Sequence, residues 1–237
     1  MKPVLEQILG IKTEAKNLRD RGLRGYPRAL ARLAMAIELA QPSLAAATTQ
    51  DVKRQMAKEL ADCHGMVGGV ERRWALESEA AEREAHLAAS CRAYDAGYAF
   101  EWDEAHDIRA SYNLVNRLTG RLLLRPDLLK LDDSVDLGHG LLPLRMPQAL
   151  AQAVSKISSH LANKGNFWAE ADLALLRLLQ GGGDAGTAYA AFNALSPPAY
   201  AYASALDGLR PLAAALGPSV PALLAAVDLL DERRRKG

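Results

Sequence analysis

The sequence predicts an all-α protein, an α-solenoid of antiparallel helix hairpins with about nine to ten helices. Apolar residues make up 49% of the chain and are mainly Ala and Leu, whereas aromatic residues are only 5%. Ala and Leu favour helices because they lose little side-chain freedom there. Apolar residues also recur three and four positions apart in one segment after another, and no convincing strand-like alternation interrupts them.

Five helices are predicted in the N-terminal half, separated by glycine and proline. The predicted ranges are 2–21, 26–42, 48–77, 82–101 and 106–124. The third contains Gly65, Gly68 and Gly69, and each glycine costs about 1 kcal/mol relative to Ala in an isolated helix. These glycines therefore indicate that a neighbouring helix packs closely against this segment.

The stretch from 128 to 147 shows no sustained period and is rich in Asp, Gly and Pro. It is predicted to be a long loop, holding a short helix or acting as a functional arm. Five further helices are predicted after it, at 148–163, 167–179, 185–195, 198–216 and 220–235. The predicted organisation is thus a set of helical hairpins over 1–127, a loop over 128–147, and a second set of hairpins over 148–237.

Small and large residues alternate along several predicted helices in the manner of tetratricopeptide repeats. Ala29, Leu33, Ala36 and Pro42 follow the second-helix spacing to within one residue, and a Gly of the first helix is matched by Gly68 or Gly69. The small–large–small series recurs at Ser90, Tyr94 and Gly97. A Gly or Ala on one helix admits a bulky side chain of its partner, so the pattern predicts close helix pairing. No repeat is complete, and an irregular helical bundle is the alternative.

Four segments carry a resemblance to a known family. They are ADCHGMVGGVERRW at 61–74, AYDAGY at 93–98, SYNLVN at 111–116 and NFWAEADLALL at 166–176. In these segments the chain resembles bacterial tetratricopeptide-repeat proteins of the TRAFs-binding-domain type, over roughly residues 10–215. The resemblance implies a helical-repeat fold and a scaffolding or regulatory role, in a bacterial signalling or defence setting.

A polar helix face is the candidate partner-binding site. Its members are Arg109, Asn113, Asn116, Arg117 and Arg121. Their spacing of mainly three and four places them on one side of the predicted helix 106–124. Arginine and asparagine there could bind carboxylates or a peptide backbone of another protein. The alternative is a face that simply contacts solvent.

The sequence predicts neither catalysis nor a cofactor. Gly181, Gly183 and Gly186 match the dinucleotide-binding pattern, but a Leu-rich predicted helix precedes them where that motif requires a strand. A flexible turn is the favoured interpretation. The five histidines are scattered without the spacing of a metal site, so no metal is expected. The predicted function is a non-enzymatic scaffold or adaptor.

The alternative function is a nucleic-acid or nucleotide-sensing component of a defence or stress system. A basic cluster in and after the first helix is its main support: Arg19, Arg21, Arg24, Arg28 and Arg32. The cluster has no interleaved aromatic residues and the net charge is only +1, so ion pairs with neighbouring helices are favoured instead. No apolar run reaches the length of a membrane span, and a cytoplasmic location is predicted.

Overall fold

The structure is a computed structural model that describes residues 2–162 and 164–236; Met1, Asn163 and Gly237, which belong to predicted segments, lie outside them. Within that part the chain is all-α, as predicted, with eleven α-helices and two strands of two residues each. The elements in chain order are α1 Lys2–Arg19, α2 Tyr26–Ala45, α3 Gln50–Glu77, α4 Ala80–Glu101, α5 Tyr112–Leu124, β1 Ser134–Val135, β2 Leu144–Arg145, α6 Met146–His160, α7 Phe167–Leu179, α8 Ala185–Ala188, α9 Ala190–Ala194, α10 Ala199–Leu216 and α11 Ala222–Lys236.

Most boundaries agree with the sequence prediction, and the exceptions have local causes. The fifth helix begins at Tyr112 rather than at 106, because Asp107 adopts a φ of 49° that a right-handed helix does not allow. The second helix continues through Pro42 to Ala45 instead of closing at the proline. The predicted helix 185–195 is broken at Tyr189 into α8 and α9.

The predicted loop 128–147 is partly ordered. It contains a short antiparallel ladder in which Ser134 pairs with Arg145 and Val135 with Leu144. The sixth helix then starts at Met146, with Pro147 in the first turn, where its missing N–H would have no helical partner.

The contacts divide the chain into two compact units. The first contains the residues up to Arg109 together with Gly138–Gly140, and the second contains Ala110–Leu137 and the residues from Leu141 onward. This division differs from the predicted ranges 1–127, 128–147 and 148–237. The fifth helix belongs to the second unit because it packs on α6, α7 and α10.

In the first unit α1 to α4 pack as consecutive antiparallel helices. One core cluster joins Ile8 to Ala40 and Leu60, and a second joins Ala15 to Ala29 and Val70. From the first cluster to the second, the residue numbers rise on α1 and α3 but fall on α2. The chain therefore runs in opposite directions in α1 and α2, and again in α2 and α3. These consecutive helices of the unit are antiparallel to one another.

Gly68 provides the close approach between α3 and α4 that the sequence predicts. A Cβ atom at this position would lie 2.8 Å from the ring of Tyr94, which is fully buried. The hydroxyl of Ser90 also donates a 2.8 Å hydrogen bond to the Gly68 carbonyl. The two helices therefore meet where the small residue of one admits the aromatic ring of the other.

Tyr26 joins the start of α2 to the end of α3. Its ring packs 6.0 Å from that of Trp74, and its hydroxyl donates a hydrogen bond to the Glu77 carboxylate. Burial, reinforced by the negative charge of Glu77, raises the pKa of Tyr26 to about 12, from an ordinary value near 10.

This raised pKa predicts a loss of stability in alkali. The unfolded chain releases the Tyr26 proton near pH 10, whereas the folded chain holds it to about pH 12. The contribution of Tyr26 to the free energy of unfolding is therefore complete below pH 10 and falls between pH 10 and pH 12. We expect the stability advantage of the wild type over Tyr26→Phe to shrink by roughly 2 kcal/mol between pH 9.5 and 12. Urea unfolding of both proteins at a series of pH values measures this. A constant difference would contradict it, since every other titrating group is common to both proteins.

Candidate partner-binding groove

The predicted polar face of α5 is largely buried. Asn113 and Arg117 are 0% and 1% exposed, and Asn116 is 9% exposed. Every residue from 113 to 120 is buried, so this part of the helix has no solvent-facing side. The Arg117 guanidinium donates a hydrogen bond to the Leu137 carbonyl, and that of Arg121 donates to the Asp136 carbonyl at 2.8 Å. The arginines of α5 thus hold the segment before β2 in place. The expectation of an accessible helix face is wrong for Asn113, Asn116 and Arg117.

Arg109 does not lie on α5. It precedes the helix, donates a 2.8 Å hydrogen bond to the Ile108 carbonyl, and places its guanidinium 5.4 Å from the centre of the Trp102 ring. Its assignment to the same helix face is therefore corrected. Partner binding by the five residues stays a prediction, but only Arg109 and Arg121 keep partly exposed side chains.

The glycine-rich segment after α7 is a turn. Gly181 and Gly183 have φ values of 77° and 89°, and the element that precedes them is a helix. Asp184 then caps the four-residue helix α8 through the Thr187 N–H at 2.9 Å. The segment thus lacks the strand that a dinucleotide-binding motif requires.

A groove between α1 and α2 is the candidate functional site. It encloses about 590 Å³ and is open to solvent along one side. Its walls are formed by four residues of α1 and the following turn and by four residues of α2: Glu14, Asn17, Leu18 and Arg21, and Arg28, Ala31, Arg32 and Met35. The opposite sides of the same helices bury Ala15 and Leu33 in the core, so the groove lies on the outer surface of this hairpin.

The groove carries positive charge that the chain itself does not neutralise. Among the residues that the structure describes, no side chain pairs with the guanidinium of Arg21 or of Arg28. Arg24, in the turn between α1 and α2, is likewise without an ionic partner in the described chain. An anion in the groove would therefore meet guanidinium groups that are free to donate charge-assisted hydrogen bonds.

One ion pair lies inside the groove. Glu14 on α1 contacts Arg32 on α2 at 3.1 Å, and their side chains are 60% and 45% exposed. Exposed pairs of this kind contribute only about 0–1 kcal/mol to stability. Arg32 is therefore held by a weak internal competitor and can be released to an external carboxylate at small cost.

Apolar side chains complete the lining of the groove. Leu18 is partly buried between the helices, Ala31 is small and exposed, and Met35 is 44% exposed. Methionine adapts its flexible thioether to irregular partners and is common on such binding surfaces. The lining thus combines guanidinium groups with an apolar strip.

The arginines of this site were predicted as a basic cluster, but the groove itself was not predicted from the sequence. Arg32 pairs with Glu14 of the neighbouring helix, as expected for this cluster, whereas Arg19 pairs with the adjacent Asp20 and no ion pair of Arg21, Arg24 or Arg28 occurs within the described residues. The available signal was the i, i+3, i+4, i+7 spacing of polar and small residues on both segments, outside the apolar stripe. Which stripe faces a neighbour depends on the packing of α2 against α3, which spacing alone does not determine.

Comparisons of the chain with protein-family models, with curated proteins and with solved structures found no match. Over residues 2–162 and 164–236, no set of three or more His, Cys, Asp or Glu side chains is arranged to hold a metal ion. In the same residues, none of the helices has the length and hydrophobicity that crossing a bilayer requires. The tetratricopeptide-like arrangement therefore stays a proposal.

Proposed function

We propose that this protein is a non-catalytic binding module, a scaffold or adaptor that holds an acidic segment of another protein in the groove between α1 and α2. The observation that supports it most is that two guanidinium groups beside an apolar strip, those of Arg21 and Arg28, have no ionic partner within residues 2–162 and 164–236. Stacked helical hairpins of the tetratricopeptide type commonly act through such surfaces without catalytic residues.

The lining of the groove favours a protein over a nucleic acid. Single-stranded nucleic acids are usually held by basic grooves with aromatic side chains on which bases stack. The groove is lined by Leu18, Ala31 and Met35 but by no aromatic residue. Apolar side chains next to arginines instead suit a segment that carries both carboxylates and aliphatic groups.

Charge reversal at the groove tests this function. We expect the double variant Arg21→Glu with Arg28→Glu to bind an acidic peptide of alternating Glu and Leu pairs roughly tenfold more weakly, because two exposed contacts of up to about 1 kcal/mol each are lost and replaced by repulsion. Fluorescence anisotropy with the labelled peptide, at low and at physiological salt, measures the affinity.

The matched control is Lys53→Glu with Lys58→Glu, which makes the same change of charge on exposed positions of α3. This control should keep wild-type affinity to within about twofold at physiological salt, where distant charges are screened. Equal weakening by both double variants would mean that only net charge matters. Tighter binding of a single-stranded oligonucleotide of equal charge would favour the nucleic-acid alternative.

Removal of the internal competitor should strengthen binding. In Glu14→Gln the Arg32 guanidinium loses its partner at 3.1 Å and becomes available to the peptide. We expect affinity to rise about two- to fivefold, with the free energy of unfolding changed by less than about 1 kcal/mol. Glu6→Gln makes the same change of charge at an exposed position of α1 outside the groove and should have no such effect. An unchanged affinity in Glu14→Gln would show that Arg32 takes no part.

A further inference from the structure

We infer that the segment held in the groove is an α-helix that lies along α1 and α2, with carboxylates directed at Arg21 and Arg28 and aliphatic side chains directed at Leu18 and Met35. This inference rests on the proposed function and specifies the conformation and the side-chain pattern of the partner. Four features of the groove support it: the spacing of its walls, its length, its distribution of charge and its place in the stack of helices.

The walls of the groove run parallel to the two helices. On α1 and the turn after it, the lining residues are 14, 17, 18 and 21, and on α2 they are 28, 31, 32 and 35. The set on α2 follows the i, i+3, i+4, i+7 spacing of a single helix face, and on α1 residues 14, 17 and 18 do the same, with Arg21 just beyond the end of that helix. Each wall therefore extends for two helical turns, about 10 Å at a rise of 1.5 Å per residue.

A helix presents more side chains to a groove of this length than an extended segment does. About three extended residues span 10 Å, and their side chains alternate between opposite sides. A helix of the same length contains about seven residues, of which up to four share one face. A helix therefore presents enough side chains to contact Arg21 and Arg28 and to cover the apolar strip at the same time.

The volume of the groove is also suited to a helix. Two turns of a helix about 10 Å in diameter occupy roughly 850 Å³, and a helix resting between two others is embedded over about half of its circumference. The groove encloses about 590 Å³, which accommodates that embedded part. The small side chain of Ala31 leaves room for a larger residue of the partner.

The charge is unevenly distributed along the groove. Arg21 follows the end of α1 and Arg28 lies in the first turn of α2, so both lie near the turn that joins these antiparallel helices. Met35 lies two turns further along α2. The partner helix should accordingly carry acidic residues at one end of its bound face and aliphatic residues at the other.

The position of the groove matches the way that this unit builds its own core. α2 packs its buried side against α3, and α1 packs against α2, whereas the lining residues face outward. A helix placed in the groove would add one more helix to this series of antiparallel contacts. Terminal faces of stacked hairpins are usually polar. The exposed Ala31 and Met35, beside arginines without an ionic partner in the described chain, depart from that pattern as a docking face would.

Two peptides of identical composition and charge test the inference. The first carries Glu at positions i, i+3 and i+4 and Leu at i+7 and i+8 over 18 helix-favouring residues. The second has the same sequence with three central residues replaced by their D-enantiomers, which breaks the helix without changing composition. Affinity for the full chain is measured by isothermal titration, together with the helical circular dichroism gained on mixing.

We expect the all-L peptide to bind at least tenfold more tightly than its diastereomer and to gain helicity when bound. Both differences should disappear with Arg21→Glu and Arg28→Glu. Equal affinities that are both lost in that variant would overturn the helix and leave the proposed function standing. Binding of neither peptide, or preferential binding that the double variant does not alter, would overturn both.

Discussion

Replacing Arg117 with Ala should lower the free energy of unfolding by about 3–4 kcal/mol. Arg117 is the largest side chain among the fully buried ones in the described chain, and its guanidinium donates a hydrogen bond to the Leu137 carbonyl. Truncation removes most of a buried side chain and leaves that acceptor short of a partner, and losses of this size are typical when both happen. Urea unfolding followed by circular dichroism measures the change.

Arg121→Ala provides the comparison on the next turn of the same helix. Its guanidinium donates to the Asp136 carbonyl at 2.8 Å, but the residue is partly exposed, so water can replace the lost bond. We expect a loss of about 1 kcal/mol. If the two variants were equally stable, Arg117 would not be the buried anchor of the segment before β2, and an accessible polar face on α5 would again be possible.

Replacing Gly68 with Leu should destabilise the protein by about 1–3 kcal/mol. The first carbon of the new side chain would lie 2.8 Å from the Tyr94 ring, closer than carbon atoms approach in folded proteins. Tyr94 is fully buried and cannot move without disturbing its neighbours. Overpacking of this kind outweighs the roughly 1 kcal/mol that a helix gains when a glycine is removed.

Gly10→Ala separates packing from helix propensity. Gly10 lies within α1 and nothing stands within 4 Å of the position that its Cβ would take. The substitution should therefore stabilise the protein by up to about 1 kcal/mol.

An unchanged or raised melting temperature in Gly68→Leu would mean that α3 and α4 are not as close at this point as the structure shows.

The fold class and most helix boundaries could be predicted from the sequence, because the spacing of apolar residues and the positions of glycine and proline determine helices locally. The glycines of α3 also predicted a close neighbour, and Tyr94 on α4 fills that role. The fifth helix was predicted to start at residue 106, which is too early. The composition of 106–111 gives no indication of the left-handed backbone conformation at Asp107.

The site could not be predicted in the same way. A polar helix face has the same sequence pattern whether it contacts solvent or a buried carbonyl group. On α5 it contacts a buried carbonyl, because Arg117 donates to that of Leu137. The arginines around the first turn were recognised as a cluster, but an ion pair and a free guanidinium have the same sequence pattern. Only the packing of α1 and α2 reveals that Arg32 is paired and that Arg28 has no ionic partner among the residues that the structure describes.

Methyl NMR of the methionine side chains tests the central claim most directly. Met35 lines the groove and is 44% exposed, whereas Met56 and Met146 are 1% and 0% exposed and serve as internal references. On titration of the full chain with the all-L acidic peptide, the Met35 methyl resonance should shift and saturate with the affinity measured calorimetrically, while those of Met56 and Met146 stay in place. Saturable binding that leaves the Met35 resonance unmoved would place the peptide outside the groove and contradict the proposed site.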